Sequence, residues 1–185
     1  MATKYKENPL FKDVVNTAQK LGQYKQSLSP KAVNVDKYKN LGSPQPSPTS
    51  QSNLGTVTVP YGGSTKYEQF HPGVDTANKI GTPIPASLGG IVQEVVGGKK
   101  QGDKGYGNYV TVKDSYGGLH RYSHLNNSYV KVGQNITPGA IVGGMGNTGS
   151  TYSLHGGTGS HLDYRIKDLY GKYVNPSQYL ASHKQ

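Results

Sequence analysis

The chain has 185 residues, with 20 Lys and Arg against 10 Asp and Glu, a net charge of +10. Only 16% of positions are charged, while Gly takes 26 and Tyr 15, which excludes a coiled coil or helical bundle built on Ala, Glu, Lys and Leu. With no Cys there is neither a disulfide framework nor a thiolate metal site, so any metal must be held by His, Asp or Glu.

Composition divides the chain near Gly55. Residues 1–54 carry eight Lys against three acids and only two Gly. Asn8-Pro9 followed by Leu10, Phe11, Val14, Val15, Ala18 and Leu21 predicts one amphipathic helix within a basic segment spanning 1–42. Asn8 is placed as the N-cap, Pro9 as the first helical residue and Gly22 as the stop. Residues 43–54, rich in Ser and Pro, predict a linker, because Pro at that density supports neither a ladder nor a core.

After Gly55 the pattern is all-β. Strands are predicted at Thr56–Val59, Gly90–Val96, Tyr109–Lys113, Leu119–Ser123, Ile141–Gly144 and Leu162–Ile166, punctuated by Gly, Pro, Asn and Asp. A last turn of helix is expected over Asn175–Leu180. The expectation is an antiparallel β domain over 55–182, preceded by the helix and the linker. No apolar run approaches the about 20 residues of a membrane span, and the N-terminus lacks a signal-peptide core. The expected product is soluble, with no membrane insertion. If it works outside a cell, a route other than Sec is expected to deliver it, or it is a piece of a longer chain.

Histidines occur at 71, 120, 124, 155, 161 and 183, none within a His-Glu-x-x-His motif. In His71-Pro-Gly-Val-Asp75 a spacing of four puts an imidazole and a carboxylate on one face of an extended segment, half of a tetrahedral metal site. Pro72 and Gly73 suit a bend just before the strand. His161-Leu-Asp163 repeats the device at a spacing of two. In Leu119–Leu125, His120 and His124 lie on one side if the run is extended. Any one of these histidines alone is ordinarily a surface or satisfied-core residue. The set carries weight because His71, Asp75, His161 and Asp163 all fall at even spacings beside Gly-rich loops.

Taken in order, His-Pro-Gly-Val-Asp, Tyr-Ser-His-Leu, Val-Lys-Val-Gly-Gln-Asn-Ile-Thr-Pro-Gly-Ala-Ile-Val-Gly-Gly-Met-Gly-Asn-Thr-Gly and Gly-Ser-His-Leu-Asp-Tyr-Arg-Ile resemble a lysostaphin/LytM-type zinc endopeptidase. The likeness covers about residues 55–180 and leaves out 1–54. It implies a two-sheet antiparallel fold of the duplicated hybrid motif type, a groove-borne site, Zn2+ as cofactor and hydrolysis of peptide bonds in bacterial peptidoglycan stems or cross-bridges. On matching positions His71 and Asp75 are zinc ligands, and His161 is the general base. His124 holds the attacking water or stabilises the oxyanion, the second role being the one assigned here.

Asp163 departs from the pattern of the resemblance, in which the family usually has a third zinc-binding histidine there. An Asp oxygen and an imidazole Nδ1 both lie three bonds from Cα, so the swap need not move the metal, and carboxylate is an ordinary zinc donor. Two carboxylates on the ion are expected to leave its water less acidic than in a His-rich site. Asp163 is therefore assigned as the third ligand. His155, in an apparent insertion, is the substitute candidate, and His120 and His183 are assigned no chemistry.

The charge of +10 has three readings: nucleic-acid binding, for which no recognition signature is present; attraction to an anionic cell wall, which explains it equally well and agrees with the motifs; and a solvated basic surface with no role. Twelve of the 15 Tyr lie between 61 and 179, available to stack on substrate or to pack on the sheets. The combination suits a phage tail or virion lysin, with other phage tail proteins as further partners. The rival expectations are a wall-binding member of the fold without productive zinc, and a structural virion module.

Overall fold

The protein is described here from a computed structural model, which covers residues 54–153 and 156–183. The predicted N-terminal helix, residues 43–53 of the linker and His155 lie outside the described residues.

Eleven strands and one helix follow in chain order: β1 (Thr56–Val59), β2 (Val74–Ala77), β3 (Pro83–Pro85), β4 (Gly90–Val96), β5 (Tyr109–Lys113), β6 (Leu119–Ser123), β7 (Leu125–Ser128), β8 (Asn135–Ile136), β9 (Ile141–Met145), β10 (His161–Lys167), β11 (Tyr173–Val174) and α1 (Pro176–His183). They form an antiparallel sheet in the order β1-β2-β10-β6-β5-β4-β8, with β11 also on β10, and a three-stranded sheet β3-β9-β7. Four predicted strands keep their expected bounds, and those at Ile141 and Leu162 are extended by one residue or by one at each end. The short strands β3, β7, β8 and β11 were not anticipated. The C-terminal helix begins one residue later than expected and runs on to His183.

Alternation explains the large sheet. On one face Val92, Val110, Val112, Tyr122, Leu162, Tyr164 and Ile166 are buried, and across the gap they join Ile84, Leu125, Val142 and Met145 of the small sheet in one cluster. Tyr122 and Tyr164 stack at 4.9 Å, and the Tyr122 hydroxyl accepts the Ser87 N–H at 2.9 Å. On the opposite face the register sets Asp163 of β10 between Asp75 of β2 and Ser123 of β6, so the central strands gather polar groups on that face.

His120 belongs to the core. Its Nε2 meets Asp114 Oδ2 at 2.9 Å and its Nδ1 meets the Tyr164 hydroxyl at 2.6 Å. Tyr179 of α1 donates to the same Asp114 oxygen at 2.8 Å. These bonds satisfy a fully buried imidazole and fasten the last helix to the sheet. No helix among the described residues is long and apolar enough to cross a membrane.

Candidate metal centre

The His-Pro-Gly-Val-Asp run brings its ends together by bending. On a fully extended segment positions four apart lie about 13 Å apart, too far to share one ion. His71 precedes β2, and the bend at Pro72-Gly73 folds it back so that Nε2 lies 3.0 Å from Asp75 Oδ1. The preceding loop is closed on His71 by two backbone bonds, Gly62 N–H to His71 O at 2.8 Å and His71 N–H to Gly63 O at 2.7 Å. Gly73 is required by close approach. A Cβ there would lie 2.6 Å from Arg165 Cγ and 2.9 Å from Asp163 Oδ1.

Asp163 enters from the neighbouring strand, its Oδ1 3.8 Å from His71 Nε2. His71, Asp75 and Asp163 are all buried, and their donor atoms fall within 4.8 Å of one another. His71 Nδ1 faces Glu68 Oε1 at 3.0 Å. A carboxylate only accepts, so Nδ1 carries the proton and Nε2 presents a lone pair to Asp75 Oδ1. Two acceptors 3.0 Å apart repel unless a cation lies between them, and both atoms are buried without a hydrogen-bond partner. One imidazole and two carboxylates are a donor set that divalent metals accept, so the residues fit a metal ion. Without the metal a proton fills that role. Burial works to lower the His71 pKa, but the Asp75, Asp163 and Glu68 carboxylates outweigh it and raise the pKa above 6.5.

His124 and His161 stand beside this cluster. His124 lies between β6 and β7 with φ of 60°, the one non-glycine residue at positive φ among the described residues. That turn removes it from the side of the sheet on which the extended reading placed it with His120, and sends it into the groove. Its N–H is held by Tyr106 O at 2.9 Å, and its Nδ1 donates to Thr148 O at 2.7 Å. His161 Nδ1 donates to Gly159 O at 2.8 Å. Since carbonyls only accept, both rings keep Nε2 as an open acceptor. Burial above all, with the neighbouring His161 charge, lowers the His124 pKa to about 4. His161 Nε2 lies 4.0 Å from Asp75 Oδ2.

All five residues line one open groove of about 910 Å³, with Tyr106 and Tyr152 on its walls. Sequence reasoning missed Glu68, Arg165 and Thr148. Arg165 follows His161 and Asp163 at the same even spacing, so the strand pattern marked it. Glu68 and Thr148 reach the site from irregular segments that carry no periodic signal. Arg165 Nε donates to both Asp163 oxygens at 2.9 Å. Its Nη1 reaches Glu68 Oε2 at 3.3 Å, and its Nη2 bonds Glu68 Oε1.

A two-sheet β domain with a buried His/Asp/Asp cluster facing two histidines in an open groove defines a metal-dependent hydrolase fold. The profile of Peptidase family M23 matches residues 69–176, and the chain belongs to that family. The catalytic domain of a variant of the prophage-encoded M23 protein EnpA from Enterococcus faecalis is similar at 30% identity and a TM-score of 0.57, over 70% of this chain and 95% of that one. The antimicrobial peptidase lysostaphin from Staphylococcus simulans is similar at 29% identity and a TM-score of 0.53, over 70% of this chain and 50% of that one. Peptidoglycan DD-endopeptidase ShyC of Vibrio cholerae is 33% identical over 106 residues, 57% of this chain and 22% of that protein. The chain thus spans about a fifth of the length of that curated relative. These likenesses agree with the lysostaphin/LytM-type fold expected from the motifs.

Proposed function

We propose that this domain is a zinc-dependent endopeptidase that hydrolyses peptide bonds in bacterial peptidoglycan stems or cross-bridges. The observation that carries the reading is the 3.0 Å approach of two buried acceptors, His71 Nε2 and Asp75 Oδ1, beside Asp163 and opposite two histidines with open Nε2 atoms. His71, Asp75 and Asp163 would hold the ion, which would supply Lewis acidity toward the scissile carbonyl and a more acidic water. His161 Nε2 takes the proton from the attacking water and returns it to the leaving amine, which balances the hydrolysis. His124 presents a lone pair rather than an N–H to the groove, so of its two expected roles the hydrogen bond to Thr148 favours orienting the water over stabilising the oxyanion. Burial keeps it neutral for that task at physiological pH.

Peptidoglycan as substrate is supported by the family and by relatives named for that activity. A net charge of +10 favours adsorption to an anionic wall. Virion association, with phage tail proteins as partners, draws support from the likeness to a prophage-encoded enzyme, and an extracellular or wall location is the other setting in which the substrate is met. The test is mass analysis of fragments released from several purified peptidoglycans, with and without chelator. Cleavage at full rate after verified metal removal would exclude the metallopeptidase.

One observation favours a second reading. Arg165 Nε occupies both oxygens of Asp163, which is also what a wall-binding or structural virion module without a working metal would show. Such a module contains no zinc after purification and releases no fragments.

A further inference from the structure

Asp163 is 2% exposed, and a carboxylate that deep needs a counter-charge whether or not a metal is bound. Arg165 supplies it from two residues along the same strand face. A single N–H, that on Nε, is shared between the two Asp163 oxygens at 2.9 Å each. That leaves the carboxylate free lone pairs, and Oδ1 lies 3.8 Å from His71 Nε2. The remaining guanidinium nitrogens are held by Glu68 Oε2 and Oε1 and by the Tyr106 hydroxyl at 3.4 Å. Glu68 Oε1 in turn accepts the His71 Nδ1 proton at 3.0 Å. The contacts form a chain from Asp163 through Arg165 and Glu68 to His71, so two donors that come from different elements share one brace. The bend at Gly73 packs directly on that brace.

Charge explains why the brace is there. A neutral imidazole at position 163 would leave Asp75 as the only anion among the three donors. A bare carboxylate would add a second. Paired with Arg165, Asp163 contributes a donor atom and no net charge, whereas Glu68, with a side chain 31% exposed, is partly solvated. We propose that Arg165 is the positioning residue that makes Asp163 serviceable as the third ligand: the Asp163–Arg165 pair acts as one neutral donor in the place of an imidazole, and Glu68 locks it to His71. This rests on the metal reading of the site.

The experiment is zinc affinity of the full chain by competition with a chromogenic chelator, alongside thermal melts of the metal-free proteins. Arg165→Gln is expected to weaken zinc about 10- to 100-fold, the usual range for residues that hold a metal's ligands in place. Asp163→His/Arg165→Gln is expected to return to within about threefold of the parent, because an imidazole needs neither the counter-charge nor the brace. A purely structural role for Arg165 predicts no such rescue. Should Arg165→Gln fail to fold, Arg165→Lys replaces it. Lysine keeps the charge but not the planar fork, so zinc should still weaken. Parent-like affinity in the single variant, or a double variant as weak as the single one, overturns the proposal. Zinc retained by Asp163→Ala removes Asp163 from the ligand set and overturns the proposal, whereas absence of zinc from the parent overturns the metal reading itself. The two failures are therefore separable.

Discussion

The rings of His124 and His161 lie 4.6 Å apart, centroid to centroid, although strand register alone would keep them on opposite faces of the sheet. Ser123 pairs with Asp163 on the groove face, so an extended residue 124 would pair with Leu162 and enter the core. A φ of 60° turns it the other way. For a non-glycine residue that conformation costs about 1–2 kcal/mol, and the bonds from its N–H to Tyr106 O and from Nδ1 to Thr148 O offset it.

It follows that His124→Ala and His124→Gly should differ in stability but not in activity. Both lose about a hundredfold or more in turnover and keep zinc, since the imidazole is assigned to the water and not to the ion. The glycine variant should melt higher than the alanine variant by the equivalent of about 1 kcal/mol, because glycine meets no penalty at positive φ. His161→Ala should likewise lose turnover and retain zinc. Release of zinc by His161→Ala would make it a ligand and displace Asp163 from the set.

The wall that supports His124 gives a second test. Gly107 sits at φ of 62°, and a Cβ there would lie 2.3 Å from Thr148 O, the oxygen that accepts the His124 Nδ1 proton. Gly107→Ala must push that carbonyl away, at a cost of about 2–3 kcal/mol, and should reduce turnover while zinc stays bound. Gly102→Ala, at a similar φ of 88° but with nothing near its Cβ, separates strain from displacement. If both variants lose turnover equally, Thr148 does not fix the His124 ring.

How much of this was legible in the sequence depended on length and periodicity. The runs around Val92, Val110, Tyr122 and Leu162 alternate over five residues or more, and their strands were read nearly to the residue. β8 and β11 have two residues each, and β3 contains two prolines, so no period could mark them. Asp163 was found through its even spacing from His161 on one strand. His71 was found through a motif whose geometry is a bend rather than an alternation. His120 and His124 look alike in sequence, four apart in one run, and a single positive φ sends one to the groove and leaves the other in the core.

The pH dependence of metal binding follows from His71. Without metal its pKa is raised above 6.5, so below that raised value Nε2 holds a proton that the ion must displace. Zinc affinity should therefore fall as pH drops through the raised pKa, by up to about tenfold per unit. In the metal-free protein the sign is opposite. A raised folded pKa gives stability that is fully present below 6.5 and is lost as pH rises through the raised value. Chelator competition between pH 6 and pH 8.5, with calorimetry in two buffers to count the released proton, checks both. A flat affinity profile with no proton released would remove His71 from the ligand set.

Asp163, where the family resemblance implies a histidine, carries the last test. Asp163→Ala leaves His71 and Asp75 alone, and zinc binding should collapse. Asp163→Asn keeps the shape and an acceptor for Arg165 Nε but removes the charge, so affinity should fall substantially without loss of fold. Asp163→His should retain zinc, since Nδ1 reaches the place of the carboxylate oxygen. In that variant Arg165 no longer has Asp163 beside it, and a donor anion has been removed. The two are one change, a net gain of one positive charge near the ion, which favours ionisation of the water that the ion activates, so the rising limb of the pH–rate profile should move to lower pH. His155→Ala should change neither zinc content nor rate. Zinc stoichiometry in the two alanine variants decides between Asp163 and His155, because a site completed by His155 would keep its metal in Asp163→Ala and lose it in His155→Ala.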